Sequence, residues 1–202
     1  MTAAESHSKY AWLYLPSCLT LLSLIIAMGG ERWTTWLRYD REAILAGEYW
    51  RLFTAHLCHL GWPHLIMNIA GLLLIWALFG RLLSLGAWLT VLCASALAVS
   101  GDLLWFDPAI RWYVGLSGVL HGLFIAGVIT SISRGEHSEY LLLAFVIGKL
   151  AWEQRYGALP GSESFAGGHV VVDAHLYGAL GGLLGTGIIL PWRNLFTRKR
   201  SG

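Results

Sequence analysis

An all-α membrane protein, a six-transmembrane-helix bundle forming one domain over residues 1–202, is the fold class this sequence predicts, and three observations predict it. Hydrophobic residues make up 56% of the chain and charged residues only 13%, which is too apolar for a soluble domain of this length. Stretches of about 20 apolar residues, the length that crosses a bilayer as a helix, recur along it. Little chain is left between them for a second domain.

The spans fall at residues 10–28, 63–82, 86–104, 115–133, 139–153 and 171–190. The first could pass for a secretory signal peptide, but no small-residue cleavage site follows it, so it is read as a retained helix. Pro63 suits the first turn of the second span, where its missing N–H costs nothing, and Gly115 opens the fourth. Pro191 marks the end of the sixth. Six spans put both termini on one side of the membrane, and Arg193, Arg198, Lys199 and Arg200 after the last span argue for the cytoplasm. Arg32, Arg38, Arg41 and Arg51 crowd the first loop and offset that bias. This loop, residues 29–62, mixes Trp33, Trp36, Tyr39, Tyr49, Trp50 and Trp62 with charges, a composition suited to the membrane interface. The loop at 157–169 is rich in glycine and small polar residues and is expected to act as a lid.

Several chemistries are disfavoured at this stage. Cys18, Cys58 and Cys93 show no C-x-x-C spacing and are expected to be packing residues. A net charge of +2, scattered along the chain, does not suit nucleic-acid binding. His56, His59 and His64 lack a nearby carboxylate or an H-E-x-x-H pattern, so no metal and no other cofactor is expected.

What remains is a set of polar residues in apolar helices. Gly115-Leu116-Ser117-Gly118 sets a hydroxyl at a helix start, where backbone N–H groups lack partners and the helix dipole favours a developing negative charge. Ser is a poor nucleophile without a base in hydrogen-bond reach. His175 is the best candidate, because an ionisable residue inside an apolar helix is expensive and usually functional. It shares a helix face with Gly178 and Gly182, while Gly118, Gly122 and Ala126 form a matching stripe on the fourth span, so close packing would bring the two residues together. His64 and Asn68, four apart on the second span, can both donate to an oxyanion. Asp173 is two residues from His175 and points away on a helix, so a Ser117/His175 dyad is expected. The bland alternatives are glycines and serine used for helix packing, a His175 bonded to backbone, and a helix–helix bond from His64 or Asn68.

Taken together, Trp50-Arg51, His64-x-x-x-Asn68, Gly115-x-Ser117-Gly118 and Ala174-His175-x-x-Gly178-x-x-x-Gly182 resemble the motifs of rhomboid intramembrane serine proteases, in family order. The resemblance implies Ser117 as nucleophile, His175 as base, and His64, Asn68 and the Ser117 N–H as the oxyanion hole, with Trp50-Arg51 structural. His121 stands where many rhomboids carry a tyrosine, one turn below Ser117, and is expected to pack against His175 and orient it. Together with Lys149 and Glu153, a pair four apart on the fifth span, this variation looks like the rhombosortase branch. That likeness implies a bacterial inner-membrane enzyme whose site opens to the periplasm. Its partners would be membrane lipid and an exported protein with a C-terminal Gly-Gly signal helix, the acyl-enzyme passing to water or an amine acceptor. Because rhomboids admit substrate beside the fifth helix, Lys149 and Glu153 are expected to form a substrate gate or read the substrate, with a purely structural ion pair as the alternative. A rhomboid protease with other membrane substrates, or a non-catalytic relative that binds helices, are the alternatives.

Overall fold

The computed structural model describes residues 10–198, with side chains as far as residue 190. The chain is mostly helical: α1 (Tyr14–Met28), α2 (Gly30–Leu37), α3 (Arg41–Leu45), α4 (Arg51–Thr54), α5 (Trp62–Phe79), α6 (Leu85–Trp105), α7 (Ser117–Ile132), α8 (Glu139–Tyr156), α9 (Ser162–Ala166) and α10 (Asp173–Arg198). Long helices therefore occupy each of the six apolar stretches. Among the described residues, three helices are both long and apolar enough to cross a membrane: 11–28, 62–79 and 85–105, while α7 is apolar but shorter.

Four features depart from the sequence expectation. The fold is not purely α: Tyr39 and Asp40 (β1) pair antiparallel with Tyr113 and Trp112 (β2). The first loop, to which the apolar pattern assigns no helix, carries α2, α3 and α4. The 157–169 segment contains the short helix α9. Pro191 does not end the last helix, which runs on to Arg198; a proline removes one backbone bond, a loss that helices in membranes tolerate. Lys199 and Arg200, used above for orientation, lie outside the described residues, as do the side chains of Arg193 and Arg198.

The first-loop helices hold the end of β1 in place through Arg51. Its Nε donates to Glu48 at 2.6 Å, and its Nη1 donates to the carbonyls of Thr35 and Arg38 at 3.0 and 2.9 Å. One buried guanidinium thus ties α2, α4 and the entry to β1 together, which fits its fork of fixed donors. β1 in turn pairs with β2, four residues before Ser117.

The core lies between α5, α6 and α7, where Leu72, Trp76, Phe79, Trp88, Val91, Val119 and Leu123 are buried. α10 packs most extensively against α7 and α6. At the α7–α10 crossing the backbones touch. A Cβ on Gly118 would lie 2.6 Å from the Ala174 carbonyl oxygen, one on Gly178 would overlap the Gly118 carbonyl, and one on Gly182 would overlap the backbone of Gly122. Small residues permit this approach, which lipid tails give no other reason to favour.

Two predictions follow from this packing. Gly178→Ala should cost about 1–3 kcal/mol by overpacking, read as a lower Tm in detergent, whereas Gly148→Ala, which has open space around it, should not lower it; equal Tm values for both would contradict the seam. The second concerns His56 and His59. Burial holds the pKa of their imidazoles down to about 4 and about 3, and the repulsion that His59 and His64 would feel if both were protonated also lowers His59. Both are neutral in the fold, so the unfolded chain binds more protons below its ordinary histidine pKa. Stability is full above that value and falls as the pH drops towards the folded pKa. Tm should therefore decline between about pH 7 and about pH 5, and His59→Phe should flatten the decline; a Tm indifferent to pH would count against buried neutral rings.

Candidate active site

Ser117 is the first residue of α7. The chain reaches it through Gly115, whose φ of +133° is open to glycine and strained for other residues. Gly115 has a second role, since a Cβ there would lie 2.9 Å from His64 Cε1. Two bonds fix the approach: Gly115 N–H donates to the Ala55 carbonyl at 3.2 Å, and Tyr113 Oη donates to the Gly115 carbonyl at 2.9 Å. Burial pushes the Tyr113 hydroxyl pKa up, so it stays a donor.

His175, on the first turn of α10, places Nε2 3.0 Å from Ser117 Oγ, while its Nδ1 lies 2.9 Å from Glu153 Oε2 on α8. A carboxylate can only accept, so Nδ1 carries the ring proton and donates it to Glu153. Nε2 is then left with its lone pair towards Ser117, ready to accept the hydroxyl proton. This is the arrangement that turns a serine into a nucleophile.

The imidazole thus has a carboxylate partner that the sequence reading did not include, and it comes from α8 rather than from Asp173. Lys149 and Glu153 line the same cavity as Ser117, and they also meet the imidazole. Glu153 is 3% exposed, and Lys149 Nζ donates to its Oε2 at 2.6 Å while standing 3.4 Å from His175 Nδ1. The pair faces inward, against the imidazole. Nothing in the sequence marks a residue 22 positions away on another helix as the partner of His175, because the relative rotation of α8 and α10 cannot be read from either helix alone.

His121 stacks on His175, with ring centroids 4.4 Å apart and planes 23° from parallel. Its Nδ1 is 2.8 Å from the Ser117 carbonyl oxygen and so carries a proton for it. On the other side, Leu60 N–H donates to His64 Nδ1 at 3.3 Å, which leaves the neutral ring's proton on Nε2. Asn68 Nδ2 donates one hydrogen to the His64 carbonyl at 2.9 Å and keeps a second. His64 and Asn68 line the same cavity as Ser117 and His175.

That cavity, about 450 Å³, lies between α5 and α8 with Met67, Leu74 and Phe145 among its apolar walls and residues of α9 over it. A second, of about 550 Å³, adjoins it beneath Trp112, Tyr113 and His169; His64, Ser117 and Val170 line both. The hydroxyl therefore faces an apolar cleft on one side and a separate opening on the other. As for a metal, His121, Glu153 and His175 offer donor atoms within 4.8 Å of one another. The Lys149 ammonium already bonds the carboxylate oxygen such an ion would need, so the set suits an internal ion pair better.

Comparison with known proteins supplies the family. A Rhomboid domain matches residues 46–192. YdcA of Bacillus subtilis (strain 168) is 30% identical over 145 residues, covering 68% of this chain and 66% of that protein. The rhomboid protease GlpG of Salmonella choleraesuis (strain SC-B67) is 25% identical over 185 residues, covering 90% of this chain and 63% of its own length, and GlpG of Salmonella typhi matches equally. The chain thus spans less than two thirds of the length of these relatives.

The stacked ring gives a test. An aromatic pair contributes about 0.5–1.5 kcal/mol beyond its burial, up to about tenfold in rate. His121→Phe should retain most of the rate at which a fluorophosphonate modifies Ser117, and His121→Ala should lower it by about that factor; a rate unchanged in both would remove His121 from the chemistry.

Proposed function

The chain belongs to the Rhomboid family, and on that premise we propose that it is an intramembrane serine protease, with Ser117 as nucleophile and His175 as general base. The observation that carries this reading is the 3.0 Å separation of Ser117 Oγ and His175 Nε2 at the start of an apolar helix. Six crossings, both termini cytoplasmic, and a site opening to the periplasm of a bacterial inner membrane complete the proposal.

In the proposed reaction, a substrate helix enters from the lipid through the cleft between α5 and α8, whose apolar walls suit it. Ser117 Oγ attacks the scissile carbonyl as His175 Nε2 takes its proton. Negative charge grows on the carbonyl oxygen, and the Ser117 N–H, His64 Nε2–H and Asn68 Nδ2–H are the donors suited to receive it. His175 then returns the proton to the leaving amine. Water, or an amine acceptor, reaches the acyl-enzyme from the second opening, and lifting of the 157–169 segment would admit it.

The proposed substrate is an exported protein with a C-terminal Gly-Gly signal followed by an apolar helix, as in the rhombosortase branch. A helix must unwind locally before a hydroxyl can reach its peptide bond. Glycine costs roughly 1 kcal/mol in a helix relative to alanine, so a Gly-Gly junction lowers that barrier. Support at the residue level comes from His121 in place of the tyrosine common in rhomboids. Co-expression with a Gly-Gly-tailed protein, followed by mass spectrometry of the new C-terminus, tests the proposal. Cleavage beside Gly-Gly that disappears in Ser117→Ala is expected; the mass of the terminus also identifies the acceptor. Equal cleavage of a tail lacking Gly-Gly would contradict the branch, and no cleavage of any tail would favour a non-catalytic helix-binding protein.

A further inference from the structure

Glu153 is a buried carboxylate in an apolar helix, and its Oε2 accepts two bonds at once, from Lys149 Nζ at 2.6 Å and from His175 Nδ1–H at 2.9 Å. An isolated buried charge would be costly, and the lysine neutralises it without filling the bond to the imidazole. The lysine also stands 3.4 Å from Nδ1, nearly as close to the ring as the carboxylate. Its positive charge therefore cancels much of the attraction Glu153 would exert on a protonated His175. What survives this cancellation is geometry: a fixed acceptor that selects the Nδ1–H tautomer and holds the ring plane against His121.

We propose that Glu153, clamped by Lys149, is a positioning residue for His175, so that this protein works through a Ser117–His175–Glu153 triad rather than through two residues. The role rests on the protease reading above. During the attack the Ser117 proton moves to Nε2, the Nδ1 proton stays on the ring, and Glu153 takes no proton. Its contribution is to keep the lone pair of Nε2 facing the hydroxyl. The groups around the imidazole are Lys149 and Glu153 from α8, His121 and Ser117 from α7, and His64 from α5.

The shared oxygen makes this testable in a way a purely structural carboxylate would not be. Lys149 Nζ and His175 Nδ1–H bond the same Oε2, so in Glu153→Gln the amide oxygen can take its place and accept both bonds. The Nδ1–H tautomer is then kept while the carboxylate charge is lost, and turnover should fall by no more than about tenfold. Glu153→Leu combined with Lys149→Met removes the acceptor and the ammonium together, which leaves no buried charge unpaired and nothing to select the tautomer. Turnover of this double variant should fall by on the order of 10³-fold or more with KM little changed, the scale of an imidazole held in the wrong tautomer.

The measurements are single-turnover cleavage and fluorophosphonate modification of the full-length protein in lipid. They are joined by the proton resonance of His175 Nδ1, which should be strongly deshielded in the wild type, kept in Glu153→Gln and lost in the double variant. A double variant as reactive as the wild type, or a Glu153→Gln variant as slow as the double variant, would overturn the role. So would a wild-type Nδ1 proton showing no hydrogen bond, a readout that stands even if a variant fails to fold. A wild type that cannot be labelled at all would overturn the protease reading and this role with it, so the two failures are told apart.

Discussion

For an imidazole on one helix to sit 3.0 Å from a hydroxyl on another, with glycines facing each other between them, the two helix axes come closer than ordinary side chains allow. The α7–α10 crossing achieves this by removing the side chains. Gly118, Gly122, Gly178 and Gly182 bring carbonyl and Cα atoms into direct contact, and any Cβ there would strike backbone. Contact of this kind has little slack, because a backbone cannot move aside as a rotamer can. The register between Ser117 and His175 is therefore set one or two turns below the site, by residues that have no chemistry of their own.

The rest of the molecule supplies what the crossing lacks. α7 holds only the residues Ser117–Ile132, about 24 Å of helix, which is short for a hydrocarbon core of about 30 Å. The chain above it is irregular, and irregular backbone at membrane depth must be buried in protein or line a cavity. Gly115, Tyr113 and the Ala55 carbonyl provide the bonds, and β1–β2 pairing anchors that segment to the first-loop helices. The loop thus acts as a bracket for the strand that delivers Ser117. The inward ion pair of α8 is the matching support for His175, on the side away from the hydroxyl.

The division between what the sequence disclosed and what it hid follows from the range of the interactions. Helix positions were legible because bilayer thickness imposes a length and composition on each apolar stretch. The glycine stripes were legible because spacings of three and four are local to one helix, and a stripe on each of two helices suggests a meeting. The partner of His175 was hidden, since Glu153 announces itself only as half of an i,i+4 pair with Lys149, a pattern that usually means a solvated or gating ion pair. The β1–β2 pairing was hidden as well: two residues on each side, paired across 74 positions (Tyr39 with Tyr113) and 72 positions (Asp40 with Trp112), carry no periodicity. Pro191 misled for a different reason, because rules for helix ends learned in water weaken where neighbouring helices and lipid hold the backbone.

The central claim is that the crossing makes one serine, and no other hydroxyl of the chain, a nucleophile. Intact-mass measurement after exposure to a fluorophosphonate, with peptide mapping of the adduct, tests it most directly. The account predicts a single adduct, on Ser117, formed by the wild type and absent from His175→Ala. Adducts spread over other hydroxyls, or a His175→Ala protein that reacts as fast as the wild type, would contradict it.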